Sequence, residues 1–240
     1  MPSRPRRASR FDVAVRRKPP KKTSAQKTPA RRGRASNVLV ISLPRLFLYH
    51  RALEDALRDG RQMVTSQELS RRVGRGISST QVRKDLSYIG NFGRRGAGYD
   101  VVVLVRKLAR VLGLDRDWRI AIVGFGYLGH ALATFLEYRE EKFHIAGIFD
   151  NDQAIVGTQW HGVRISHVDD LERVLPVLGC SIGFITVPAG AAQTVADRLV
   201  ACGIAALLNF APTTLKLPQS VALRAIDLAS ELSILTSQLG

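Results

Sequence analysis

Apolar positions change their period partway along the chain. From Leu43-Pro44 onward, Leu46, Tyr49, Leu53 and Leu57 recur at helical spacing, and Gly60 suits the end of that helix. Thr65-x-x-Glu68 is a capping box that opens a second short helix, with Leu69 and Val73 inward. Gly74-Arg75-Gly76 is a turn. Ser78-x-x-Gln81 opens a third helix that runs to about Tyr88, with Val82, Leu86 and Ile89 on one face. Two short helices joined by a three- to four-residue turn read as helix-turn-helix. Glycines then surround Arg94-Arg95, and Val101-Val102-Val103 follows, a pattern that predicts a hairpin with a basic tip. Leu104 to Leu112 continue as a helix, and Gly113 to Asp117 make a link.

Beyond Trp118 the pattern becomes short, continuous apolar runs separated by helical stretches. Ile120–Val123, Phe143–Phe149, Ser181–Val187, Ile204–Phe210 and Val221–Ile226 read as buried strands of a parallel sheet. Helices are predicted over Tyr127–Tyr138, Val168–Val174, Ala189–Cys202 and Asp227–Leu239, and 153–164 reads as irregular chain or short strands. The pattern predicts a mixed α/β chain: an N-terminal winged helix-turn-helix domain (41–115), then a Rossmann-like doubly wound parallel sheet (116–226) and a closing helix (227–240). Leu228, Leu232 and Leu235 share one face of that closing helix, and Ile234 and Leu239 are apolar too.

Charge divides the chain in the same places. Residues 1–36 carry 13 Lys/Arg against the single acid Asp12, with almost no apolar content, so 1–40 reads as a disordered basic tail. Residues 37–113 carry 14 Lys/Arg against 6 Asp/Glu, whereas 114–240 carry 9 against 13. A basic front joined to a mildly acidic rear points to a polyanionic partner for the front. Cys180 and Cys202 have no metal spacing and sit among apolar neighbours, as small core residues of a reduced protein would. No run approaches the roughly 18 apolar residues of a membrane span, and the basic N-terminus lacks a signal-type apolar core, so a cytoplasmic location is expected.

The chemistry begins at Gly124-Phe125-Gly126-Tyr127-Leu128-Gly129, a Gly-x-Gly-x-x-Gly run fed by a strand and followed by a helix. In such a run the first glycine permits the tight turn. The second admits a pyrophosphate, and the third lets helix and strand pack closely. The next strand ends in Asp150, about 20 residues on, where an acid accepts hydrogen bonds from the adenosine ribose. No Arg or Lys follows immediately to hold a 2′-phosphate, which favours NAD+/NADH over the phosphorylated cofactors. The same acid argues against a CoA-binding or purely structural role. A dehydrogenase would need a substrate domain and an acid/base, and neither remains. The histidines His50, His130, His144, His161 and His167 form no spaced cluster, and no Cys/His set suggests a metal. A dinucleotide site without catalytic apparatus, joined to a basic helix-turn-helix, implies sensing.

On the third helix, the face opposite the apolar positions presents Thr80, Lys84 and Ser87, flanked by Gln81, Arg83 and Tyr88. Gln81 and Lys84 are expected toward base edges, and Ser79, Arg83 and Tyr88 toward phosphates, with Thr80 on the same face. Arg94 and Arg95 on the hairpin tip are placed to enter a minor groove.

The chain from 43 to 240 resembles the Rex family of redox-sensing transcriptional repressors. The motifs that carry the resemblance are Arg45-Leu46-x-x-Tyr49-x-Arg51, Val82 to Tyr88 with Gly90, and Gly96-x-Gly98-Tyr99. The fingerprint, Phe149-Asp150, Thr186-Val187-Pro188-Ala189, Ala191-Ala192-Gln193 and Leu208 to Pro212 complete the set. The resemblance implies a homodimer on inverted-repeat operator DNA, with the closing helix swapped between subunits. It implies that NAD+ permits DNA binding and NADH releases it. It also implies that Arg51 and Asp227 form the switch pair and that Val187, Pro188, Ala189 and Asp227 lie by the nicotinamide. The chain departs from the family at Phe135, where several members carry a tyrosine: the ring is kept and the hydroxyl lost.

Overall fold

The computed structural model describes residues 43–239, apart from 75, 95, 140 and 141. The tail expected at 1–40 lies outside the described residues. The first part of the chain runs α1 (Leu43–Arg58), β1 (Met63–Val64), α2 (Ser66–Val73), α3 (Ser79–Ile89), β2 (Gly93–Arg94), β3 (Gly98–Asp100) and α4 (Val101–Leu112). Both capping residues act as the sequence predicts. The Thr65 hydroxyl accepts from the Glu68 amide and the Ser78 hydroxyl from the Gln81 amide, each at 3.1 Å. The three short strands form an antiparallel sheet in the order β1-β3-β2, whose β2–β3 hairpin is the wing.

The core here gathers Leu46, Tyr49, Leu53, Leu69, Val82, Leu86, Val101, Leu104 and Leu108, with α1 and α4 packed side by side. Each such side chain contributes about 1.5–3 kcal/mol through removal from water. Two sequence expectations are corrected. Leu57 is 43% exposed, because Ala56 holds the inward position three residues after Leu53. Val101–Val103, taken with the hairpin, are instead the first turn of α4. The Asp100 carboxylate accepts from the Val103 amide at 2.9 Å and so starts the helix ahead of the β-branched run.

The second part runs β4 (Trp118–Val123), α5 (Tyr127–Arg139), β5 (Phe143–Asp150), β6 (Gln159–Trp160), β7 (Val163–His167), a 3-10 turn (Val168–Asp170), α6 (Leu171–Leu178), β8 (Ile182–Ile185), α7 (Ala189–Ala201), β9 (Ala206–Asn209), β10 (Ala222–Ala225) and α8 (Leu228–Thr236). The sheet order is β10-β9-β8-β4-β5-β7-β6. All pairs are parallel except β6–β7. The order doubles outward from β4, so the switch point falls between β4 and β8, where open α/β sheets bind ligands. Ala121, Val123, Phe149 and Ile185 pack on one face against α6 and α7. Ile120, Ile122, Ile148 and Phe184 pack on the other face with Ala133 of α5. The link ends on Trp118, whose indole donates to Gly113 O at 2.7 Å while Arg116 stacks on the ring at 4.1 Å. Of β7 (Val163–His167), only the first two residues fall in the stretch 153–164 that the sequence marks as irregular chain or short strands.

Candidate functional site: a glycine turn and a helix-turn-helix face

At the carboxyl ends of β4, β5 and β8 the chain builds a concave site. Gly124 leaves β4 with φ +95°, and a Cβ on it would stand 2.7 Å from Thr186 O. The Thr186 hydroxyl donates to Gly124 O at 2.6 Å and to Val123 O at 3.0 Å, which pins the turn to β8. Gly129 is tighter still: a Cβ there would lie 2.1 Å from Gly124 O, so close packing of α5 on the turn requires glycine. Gly126 differs. A Cβ on it meets nothing within 4 Å, so its backbone faces open space. Open backbone at the amino end of a helix, where the first amides lack intrahelical partners, is the general form of a diphosphate cradle.

Asp150, at the end of β5, is held by backbone donors. The Phe125 amide donates to one carboxylate oxygen and the Asp152 amide to the other, at 2.8 Å for the latter. The acid is thereby oriented at the rim of the glycine turn. Gly124, Asp150, Asn151, Val187, Pro188 and Ala191 line part of a cavity of about 300 Å³. Arg198 lines it as well. Its guanidinium is forked onto Glu172 at 2.5 and 2.6 Å and donates to Val168 O at 2.9 Å. The Arg198 guanidinium brings the Glu172 carboxyl down to about 2. Thr186, Ala191 and Arg198 were not chosen as site residues from sequence. The first two lie beside the chosen Val187-Pro188-Ala189, but Arg198 carries no sequence signal.

The Phe125 side chain turns into the core against His130 and Trp160, leaving only its backbone in the turn. Tyr127 and Leu128 contribute backbone, and the Tyr127 side chain is fully exposed. Ala189 and Asp227 are not among the residues lining the cavity, and neither are residues 125–129, so the open backbone at Gly126 lies beside the cavity rather than in its wall. Asp227 caps α8 instead: its carboxylate accepts from the Ala229 amide at 3.0 Å and the Ser230 hydroxyl at 2.6 Å. The Ser230 hydroxyl and the Ala229 amide hold its carboxyl below the usual range. Among the described residues, Arg51 and Asp227 do not meet within one chain. Phe135 stands half exposed on α5.

On α3 the exposed side chains are Thr80, Arg83, Lys84, Ser87 and Tyr88, with Ser79 half-buried. Arg83 is braced by the hydroxyls of Ser66 (2.9 Å) and Thr80 (3.0 Å), which ties α3 to α2. Gln81, expected to read a base, donates its amide to Asp85 at 2.7 Å. Asp85 is only 2% exposed and also receives Arg45 and Tyr49 of α1. Burial opposes its ionisation, but the hydrogen bonds from Arg45, Tyr49 and Gln81 prevail and hold its carboxyl below the usual range. This cluster was absent from the sequence reading, although Arg45 and Tyr49 four apart and a single acid on a basic helix were visible. Arg94 lies on β2 and Arg95 outside the described residues. No group of three or more His, Cys, Asp or Glu capable of holding a metal occurs among the described residues.

Fold and site together define a DNA-binding winged helix joined to a dinucleotide-type Rossmann domain. Comparison with known proteins narrows this. Residues 41–87 match the family described as putative DNA-binding protein N-terminus, and residues 115–213 the family described as CoA binding domain. The redox-sensing transcriptional repressor Rex of Streptomyces griseus is 46% identical over 86% of this chain and 80% of that protein. Rex of Desulfitobacterium hafniense is 45% identical over 82% and 92%. The crystal structure of RSP in complex with β-NAD+ and operator DNA is 36% identical, with a TM-score of 0.77, over 82% of this chain and 90% of that one. RSP with β-NADH gives 34% and 0.72. The chain belongs to the Rex family of redox-sensing transcriptional repressors.

Proposed function

We propose that this chain represses transcription by gripping operator DNA while NAD+ is bound, and that replacement of NAD+ by NADH releases the DNA. One conjunction carries the reading: a glycine turn open at Gly126 with an oriented acid at Asp150, on the same chain as a capped helix-turn-helix with an exposed basic face. The amides around Gly126 and the first turn of α5 would hold the pyrophosphate. Asp150 would hold the adenosine ribose, and Val187 and Pro188 would lie by the nicotinamide. When bound, the cofactor supplies a signal, its nicotinamide ring being cationic when oxidised and neutral when reduced. Asp150 favours NAD(H) over CoA, despite the description of the matched family.

Lys84, Ser79, Thr80, Arg83 and Tyr88 would meet the duplex on the α3 side, with the β2–β3 wing in the adjoining groove. Gln81 acts from behind, through Asp85. The partner along the DNA is a second copy, because α8 presents Leu228, Leu232, Ile234 and Leu235 to solvent. A dimer of this kind reads an inverted repeat. Among the described residues no helix is long and apolar enough to cross a membrane; the cytoplasm is the compartment where DNA and NAD(H) meet. The test is a gel-shift titration on an inverted-repeat operator with each cofactor. NADH should release DNA at concentrations where NAD+ does not, and equal affinity in both would overturn the sensing role.

A further inference from the structure

We propose that Arg45 is a DNA phosphate contact set in place by Asp85, which makes Asp85 a positioning residue for DNA binding. The inference rests on the DNA-binding reading above. Arg45 lies in the first turn of α1. Its Nε donates to Asp85 Oδ2 at 2.8 Å and its Nη2 to Oδ1 at 3.0 Å. Gln81 donates to that same Oδ1 at 2.7 Å, and the Tyr49 hydroxyl donates to Oδ2 at 2.8 Å. The guanidinium is therefore fixed against the middle of α3, where Gln81 of its first turn shares the same carboxylate, one helical turn from the amino end. The amino end of a recognition helix is the end that enters the groove, so a group one turn from it stands near the flanking phosphates.

The chemistry of the fork supports this. Arginine has five N–H donors in a plane. The contact with Asp85 uses one edge, and the remaining donors lie on the other. The Arg45 side chain is 32% exposed while its partner carboxylate is only 2% exposed. A well-packed apolar cluster of the same volume would often stabilise the domain as well as a buried ion pair does. What the charged cluster adds is geometry: a guanidinium whose rotamers are already fixed, matched to the bidentate shape of a phosphate.

The test uses the full-length protein with NAD+, an operator duplex and an unrelated duplex, across a salt series. Arg45→Gln should weaken binding to both duplexes about equally, by about tenfold. It should also make the log–log salt slope shallower by about one. Asp85→Asn keeps the arginine charge but loosens the fork, so affinity should fall with the slope near wild type. NADH affinity should be unchanged in both variants. An Arg45→Gln protein with the wild-type slope overturns the inference. Should Arg45→Gln fail to fold, Arg45→Lys decides. A several-fold loss with the slope retained supports the fork, and wild-type affinity overturns it. Failure of the wild-type protein to bind the operator would refute the DNA-binding reading itself, a distinct outcome.

Discussion

Replacing Gly126 with alanine separates ligand binding from folding. At this position a Cβ meets no atom within 4 Å, and the backbone is not in the left-handed region. The unliganded protein should therefore lose nothing, and a gain of about 0.4–1 kcal/mol is expected because alanine restricts the unfolded chain. With ligand the outcome reverses. A methyl group at the mouth of the turn displaces a diphosphate from the amides, and hydrogen bonds to a charged group are worth about 1.5–3 kcal/mol. The dissociation constant for NADH should rise by about 10- to 100-fold. At a concentration about 100 times the wild-type constant, NADH stabilises the native protein by about 2.7 kcal/mol, and the same concentration should stabilise the variant by only about 0.4–1.4 kcal/mol. Thermal unfolding with and without NADH reads both quantities, and NADH fluorescence gives the constant directly. Gly129→Ala is the contrasting control. Its Cβ would press on Gly124 O at 2.1 Å, so it should destabilise the unliganded protein by about 1–3 kcal/mol or more. A Gly126→Ala protein that binds NADH like wild type would refute the placement of the pyrophosphate over this turn.

Other residues give independent tests. Ser78→Ala removes the cap of α3 and should cost about 1 kcal/mol in chemical unfolding, with Ser78→Gly milder. Leu232→Glu with Leu235→Glu places charge on an apolar face that is more than half exposed in the single chain, and should convert a dimer to monomer by analytical ultracentrifugation. Asp85 gives a pH signature. Its folded carboxyl titrates below the unfolded value of about 3.9, so its contribution is complete above that value and is lost as pH falls through the folded one. The fall in stability measured by urea between about pH 5 and 2 should be shallower in Asp85→Asn, and an unchanged acid limb would contradict the cluster. Deleting residues 1–36 removes 13 basic groups and should flatten the salt dependence of DNA binding; an unchanged slope would mean the arm makes no contact with the duplex.

What could be read from the chain depended on whether a residue answers to its neighbours or to distant partners. The two N-caps, the helix-turn-helix and the glycine turn are local devices, and their residues lie within a few positions of one another. The sheet strands that are buried on both faces were visible as apolar runs. Val163-Arg164-Ile165-Ser166-His167 was not, because one face of β7 is left polar and its run alternates. Val101–Val103 misled for the opposite reason: β-branched residues suggest a strand, but Asp100 caps the amides and α1 buries the face, and tertiary packing overrides propensity. Asp85 depends on Arg45 and Tyr49, some 40 residues away, and Arg198 depends on Glu172 across 26. Such pairings leave no local periodicity.

The placement of Asp227 constrains how a redox signal could reach DNA. Within one chain its carboxylate is engaged with Ala229 and Ser230 at the start of α8, while Arg51 is exposed on α1. The pair that the family resemblance implies would then form across two subunits, with α8 of one copy against α1 of the other. An exposed ion pair contributes about 0–1 kcal/mol, less than the 1–3 kcal/mol typical of allosteric coupling. The charge pair alone is too weak to drive release. Burial of Leu232 and Leu235, at about 1.5–3 kcal/mol each, is large enough to order α8 and to exclude water from the pair. The redox response should then depend on docking of α8 as much as on the charges. Phe135 sharpens the point. It has no hydroxyl to donate to Asp227, so a hydrogen bond from this ring is not among the means by which the chain tells NAD+ from NADH. Arg51→Ala and the α8 double variant should both uncouple DNA release from NADH, but only the second should do so by abolishing the dimer.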